Sequence, residues 1–290
     1  MTILSNAVLT VEISGHGAEL QSIRKNDVEY LWQGDKAYWG RRSPVLFPIV
    51  GSVWESRYRV DGKEYQLGQH GFARDMDFTL VSSSDTEARF RLEASEETLE
   101  KYPYPFVLEI AYRLHSDKLD VIWEVTNPSD SDIFFQIGAH PAFFYPDYDP
   151  ATSGRGSFTF DRKEGLECIR IKEKGCVDAE TKWPLEMQDG RLKLEKDTFD
   201  KIDTIMLQDS QIRRVNMFRE DGSPWLSLSF DAPVVGIWSP PGKVAPFICI
   251  EPWYGRCDRV GYEGEYRDKD WVNRLAAGEK FSSVYTIEIA

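Results

Sequence analysis

An all-β, antiparallel sandwich is the architecture that this chain of 290 residues predicts. Three observations carry the prediction. Apolar and polar residues alternate with period two in one segment after another, turn signals separate those segments, and helical signal is scarce. Alternation sends successive side chains to opposite faces, so each such segment is a strand with one buried and one wet face. Long crossover helices, which a parallel sheet needs, have no counterpart in the pattern.

In chain order, the first clear pair is a hairpin. Asp61-Gly62 closes it between residues 57–60 and 63–67, because both residues tolerate the left-handed backbone of a tight turn. Residues 88–93 alternate Ala88, Phe90 and Leu92 with charged neighbours. A short helix follows over 95–102: Ser95 caps it, Glu96 and Glu97 sit in its first turn, and Pro103 stops it. Residues 106–114 and 119–126 alternate again, the latter with Leu119, Val121, Trp123 and Val125 on one face. Asn127-Pro128, Asp189-Gly190 and Asp221-Gly222 are further turns. A strand is expected over 132–137 and another over the apolar run 246–250, ending before Glu251 and Pro252. Residues 145–156, rich in Pro, Asp, Ser and Gly, read as a surface loop, and a second short helix is expected over 269–276. No repeat, low-complexity tract or linker divides the chain, so residues 1–290 are expected to form a single domain.

The net charge of −13 disfavours nucleic acid or an anionic membrane as a partner. It leaves room for an anionic small substrate, since a few arginines can dominate locally. Residues 1–6 lack the basic start and apolar core of a signal peptide, and no apolar run approaches the ~20 residues of a membrane helix. Cys168, Cys176, Cys249 and Cys257 match no C-x-x-C pattern, and the expectation is reduced thiols in a cytoplasmic protein.

Chemistry concentrates in three segments. In 41–51, Arg41 and Arg42 lead into an apolar stretch with two prolines, which marks an edge or irregular strand. Either both arginines lie on the solvent face, or one of them points into a cleft to bind sugar hydroxyls or a phosphate. In 69–74, His70 stands between Gln69 and Gly71-Phe72-Ala73-Arg74, either as a structural loop histidine or as a ligand. The third is a pair: His140 before Pro141, and Glu251 at the end of an apolar run. A carboxylate there is costly unless paired or functional, and burial would raise its pKa toward that of a useful base. Arg256 and Arg259 are the candidate partners if its role is structural. Trp253 and Tyr254 are suited to stacking on a sugar ring, or to the core. No Gly-x-Ser-x-Gly elbow, Gly-rich phosphate loop or H-E-x-x-H motif occurs. Glycoside hydrolysis would need a second carboxylate, for which Asp203 is the one candidate. Cofactor-free proton transfer is the chemistry left.

Across these segments the sequence resembles the aldose 1-epimerase (galactose mutarotase) superfamily, in particular its LacX-type and hexose-6-phosphate mutarotase-like branch. The resemblance runs through residues 17–23, 29–32, 43–51, 70–74, 137–143, 236–239 and 250–255, in that order. It implies a single β-supersandwich domain with a sugar in a cleft on its concave sheet. It implies interconversion of α and β anomers, in which a glutamate takes the C1 hydroxyl proton while a histidine protonates the ring oxygen. Glu251 matches the base, His140 the acid and His70 the second histidine near the ring oxygen. Asp203 best fits an aspartate that binds hydroxyls, and Gln69, Arg74 and Arg41 match substrate-contacting positions, with Arg42 as the competitor of Arg41. No metal or organic cofactor is expected, and the expected partner is a small sugar, bound by a monomer or homodimer. The rival expectation is a non-catalytic carbohydrate-binding or sensor protein on the same fold.

Overall fold

The computed structural model describes residues 1–152 and 154–290. Two large antiparallel sheets dominate it. The nine-stranded sheet runs, edge to edge, through Arg191–Glu195, Gly154–Phe160, Arg214–Phe218, Pro224–Phe230, Lys280–Ile289, Lys118–Thr126, Val107–His115, Glu87–Glu93 and Thr79–Ser83. The second sheet runs Cys176–Pro184, Glu167–Glu173, Thr204–Leu207, Val234–Trp238, Phe247–Tyr254, Ile137–Ala139 and Val45–Leu46, and Ala142–Phe144 also pairs with Phe247–Tyr254. The all-β, antiparallel expectation holds.

The alternation read from sequence becomes the burial pattern. In Lys118–Thr126, Leu119, Val121, Trp123 and Val125 are buried and their neighbours are half-exposed. That face packs into a continuous apolar cluster reaching from Leu4 to Ile289. The opposite face of the same sheet is ionic: Arg89 pairs with Glu109 and Glu124, and Lys280 with Glu124. Such partly solvated pairs add modest stability, so the sandwich is held mainly by its apolar side.

Local expectations fare unevenly. The hairpin forms as Arg57–Val60 against Lys63–Gln66, with Asp61 and Gly62 both at positive φ. The helix Glu96–Lys101 starts from Ser95 in a reciprocal cap with Thr98. No α-helix occupies 269–276; Asn273–Leu275 is a strand paired with Ile133–Phe135. Its Asn273 amide is drawn to the carbonyls of Phe135 and Tyr254. A helix not anticipated, Thr198–Ile202, precedes Asp203. The loop expected over 145–156 includes Ser153, which lies outside the described residues. Of its remainder, Tyr145 and Arg155 are buried and a strand begins at Gly154.

Two corrections bear on function. The strand expected over 132–137 is broken at Gln136, whose amide instead accepts from Val50 N and donates to the carbonyls of Arg256 and Asp270. The strand expected to end before Glu251 continues to Tyr254. It can pass through Pro252 because its neighbour on one side changes there. Ala142–Phe144 pairs with residues 247–249 and Ile137–Gly138 with 253–254, leaving a gap at His140-Pro141. A proline missing its N–H fits that gap without losing a ladder bond.

Candidate functional site

The gap puts His140 and Glu251 side by side. His140 lies between the two short strands, its N–H held by Pro44 O at 3.2 Å. Glu251 projects from the middle of Phe247–Tyr254, opposite Gly236. His140 Nε2 lies 3.2 Å from Glu251 Oε2, with both side chains almost wholly buried. The contact is not aligned as a hydrogen bond, and Glu251 Oε2 and His140 Nδ1 are buried without partners. Buried polar atoms are nearly always satisfied, so these two at the floor of a cavity are available to a ligand's polar groups. Neither candidate arginine neutralises Glu251: Arg256 and Arg259 both pair with Asp270.

Burial sets the protonation of the pair. It pushes the Glu251 carboxyl well above its ordinary range, with Asp203 acting in the same direction. It pulls the His140 imidazole down to about 3, with Arg74 and Arg41 adding to the effect. Both shifts favour uncharged forms, and groups this close titrate as a unit.

The cavity above them, of about 370 Å³, is lined by Gln69, His70, Arg74, His140, Asp203 and Glu251 among the anticipated residues. His70 sits at positive φ, and its Nδ1 accepts a hydrogen bond from Gly51 N at 3.0 Å. A neutral ring so held carries its proton on Nε2, which makes it a donor. Its imidazole stands perpendicular to that of His140 with centroids 5.5 Å apart. The following Gly71 is required: at φ +70°, a Cβ there would lie 2.2 Å from Phe47 O. Asp203 caps the helix Thr198–Ile202 at positive φ and accepts from the Thr204 hydroxyl at 2.8 Å.

Arg74 donates to Gln69 O at 2.7 Å while its buried Nε makes no hydrogen bond. Arg41 does not line the cavity; it reaches Asp75 at 2.9 Å, and Arg74 contacts the same carboxylate at 3.7 Å. Arg42 turns away to Gln21 O. Of the two arginines, Arg41 is the one whose charge acts on the His70 and His140 rings. Trp253 lines the cavity, but Tyr254 does not: its hydroxyl accepts from Ser283 and its ring packs on Trp123 and Phe281.

Sequence reading missed Trp39 and singled out Trp238 only as part of a longer match. The Trp39 indole stacks on His140 with centroids 4.7 Å apart and 27° between planes, and Trp238 meets the same ring edge-on at 5.4 Å. A signal was available: Tyr38-Trp39 is an aromatic doublet separated from Arg41 by Gly40 alone.

The aldose 1-epimerase sequence profile matches residues 1–288. The chain belongs to the aldose 1-epimerase family. Among curated relatives, the chromosomal LacX protein of Lactococcus lactis is 31% identical, covering 100% of this chain and 99% of that protein. A galactose mutarotase-like protein from Lactobacillus casei superimposes with a TM-score of 0.93 at 31% identity, over 100% of both chains. A galactose mutarotase related enzyme from Lactobacillus acidophilus gives 0.92 at 32%, over 100% of this chain and 97% of that one. For a member of this family, a buried acid/base pair at the floor of an open cavity is suited to sugar epimerase chemistry in general.

Proposed function

We propose that this protein interconverts the α and β anomers of an aldohexose, such as galactose, or of a hexose 6-phosphate. Glu251 takes the proton of the anomeric hydroxyl while His140 delivers one to the ring oxygen. The C1–O5 bond breaks, the aldehyde end rotates, and closure from the other face returns both protons. One proton shared across 3.2 Å gives the pair two forms, carboxylate with imidazolium or acid with neutral imidazole. Ring opening converts the first form into the second. Burial favours the second, so it stabilises the open-chain complex relative to the closed one.

The observation that carries this reading is the unaligned His140–Glu251 contact with orphaned atoms on both residues. A hydroxyl and a ring oxygen of one sugar would satisfy them. In this reading His70 Nε2 donates near the ring oxygen, Asp203 accepts from hydroxyls, and Gln69 and Arg74 hold the far end of the substrate, with Arg41 beside Arg74 on Asp75. Proton transfer of this kind contributes about 10²- to 10⁴-fold per well-placed group. Polarimetry of freshly dissolved α-glucose, α-galactose and their 6-phosphates is the test. Relaxation faster than buffer, in proportion to protein, is expected with at least one sugar; relaxation at the buffer rate with all of them, at high protein concentration, rejects the proposal.

A further inference from the structure

Behind the His140–Glu251 pair lies a third potential ligand that proton transfer does not use. Cys249 is two residues before Glu251 in the same strand, so both side chains leave the same face of the sheet. It is a free, fully buried thiol among Trp32, Ala142, Ala245 and Phe247. One imidazole nitrogen of His140, one carboxylate oxygen of Glu251 and the Cys249 sulfur all lie within 4.8 Å of one another.

We propose that these three side chains form an inhibitory site for a zinc-class divalent cation. Three points no more than 4.8 Å apart always have a common point within about 2.8 Å of each, against zinc bond lengths of roughly 2.0 Å to nitrogen or oxygen and 2.3 Å to sulfur. The sulfur therefore has to move inward by at most about 0.5 Å, and the nitrogen and oxygen by at most about 0.8 Å. The 3.2 Å between His140 Nε2 and Glu251 Oε2 is close to the roughly 3.3 Å edge of a tetrahedral zinc site, so the two atoms are already spaced to share one cation. Glu251 Oε2 is buried, unpartnered and directed at this cluster. A carboxylate, a thiolate and a neutral imidazole would cancel the charge of one divalent cation, the arrangement that makes burial tolerable. The open cavity supplies a fourth position for water or a sugar hydroxyl. Sulfur, nitrogen and oxygen together favour zinc, cobalt or cadmium over magnesium or calcium. A bound cation would occupy the atoms that the sugar needs, so metal and substrate would compete.

The inference stands apart from the proposed reaction, and cobalt(II) separates the two. Titrating the metal-free protein with cobalt(II) is expected to give sulfur-to-metal charge-transfer absorption at one equivalent, displaced by zinc(II). Cys249→Ala is expected to remove that absorption and weaken zinc binding at least tenfold, while metal-free anomer exchange stays near wild type. His140→Gln, which leaves the thiol in place, is expected to weaken zinc binding as well, so the result does not depend on one variant folding. Magnesium(II) is expected to neither bind nor inhibit. Absorption that persists in Cys249→Ala, or zinc affinity unchanged in both variants, overturns the proposal. A thiolate-bound cobalt site in a protein without anomerase activity would sink the proposed reaction and leave the metal site standing.

Discussion

Replacing Glu251 with glutamine is the perturbation that separates catalysis from folding most sharply. The amide keeps the shape of the side chain and removes its ability to accept a proton. If Glu251 is the base, Glu251→Gln lowers kcat for anomer exchange by about 10²- to 10⁴-fold, or roughly 3–5 kcal/mol of transition-state free energy. Stability moves the other way. Burial holds the carboxyl pKa above its unfolded value. The stability it contributes is therefore fully present below about pH 4.5 and is lost as pH rises toward the folded pKa, at about 1.4 kcal/mol for each pH unit between the unfolded and folded values. Glutamine has no proton to lose, so the variant gains on wild type as pH rises. His140 contributes with the opposite sense: its folded pKa of about 3 lies below the ordinary 6.5, so its contribution is present above pH 6.5 and lost as pH falls toward 3. The assay is polarimetry for kcat, with urea unfolding of both proteins at pH 5 and pH 8. Near-wild-type kcat refutes the role of base. A variant that falls further behind wild type at pH 8 than at pH 5 refutes the buried, protonated carboxyl.

Four further outcomes follow from the same geometry. Trp39→Leu removes the indole face lying 4.7 Å from the His140 ring; losing about 0.5–2 kcal/mol of imidazolium stabilisation lowers kcat by about 2- to 30-fold, while Trp39→Phe keeps most of it. Arg74→Gln, at the end of the cavity opposite the acid/base pair in the proposed binding mode, raises KM for a hexose 6-phosphate at least tenfold more than for the free hexose if that arginine meets the phosphate, as steady-state kinetics on both sugars would show. Gly71→Ala drives a Cβ against Phe47 O and is expected to destabilise the fold by about 2 kcal/mol or more, read as a fall in Tm. Lys269→Met strands Asp258, its partner at 2.5 Å with both side chains almost wholly buried, and is expected to cost about 3–5 kcal/mol in denaturant unfolding.

The sandwich was legible because its signal is local. Val121, Trp123 and Val125 show their face in any five-residue window, and Asp61-Gly62 and Ser95 state their turn and cap in two or three residues. The broken strand at Gln136 and the run through Pro252 were not legible, because each depends on which distant strand ends opposite it. The same holds for 269–276, where Asn273 meets carbonyls of Phe135 and Tyr254. At the site, residue type and context indicated His70, His140 and Glu251 as candidates, the family resemblance added Asp203, and the structure gathers all four around one cavity. Their spacing was hidden, as was Trp39, which approaches His140 across about a hundred residues of chain. The separation of Arg41 from Arg42 needed the backbone: Arg42 finds Gln21 O, while Arg41 reaches Asp75, the carboxylate that Arg74 also meets.

Exchange NMR at anomeric equilibrium tests the central claim most directly, because it reads interconversion without coupling enzymes or net turnover. With wild-type protein and either glucose, galactose or a 6-phosphate, exchange cross-peaks between the two H1 signals should grow in proportion to protein concentration. They should fall to the buffer level in folded Glu251→Gln and in folded His140→Gln. Cross-peaks at the buffer level for the wild type with every sugar, or undiminished in either variant, would contradict the assignment of this pair as the acid and base.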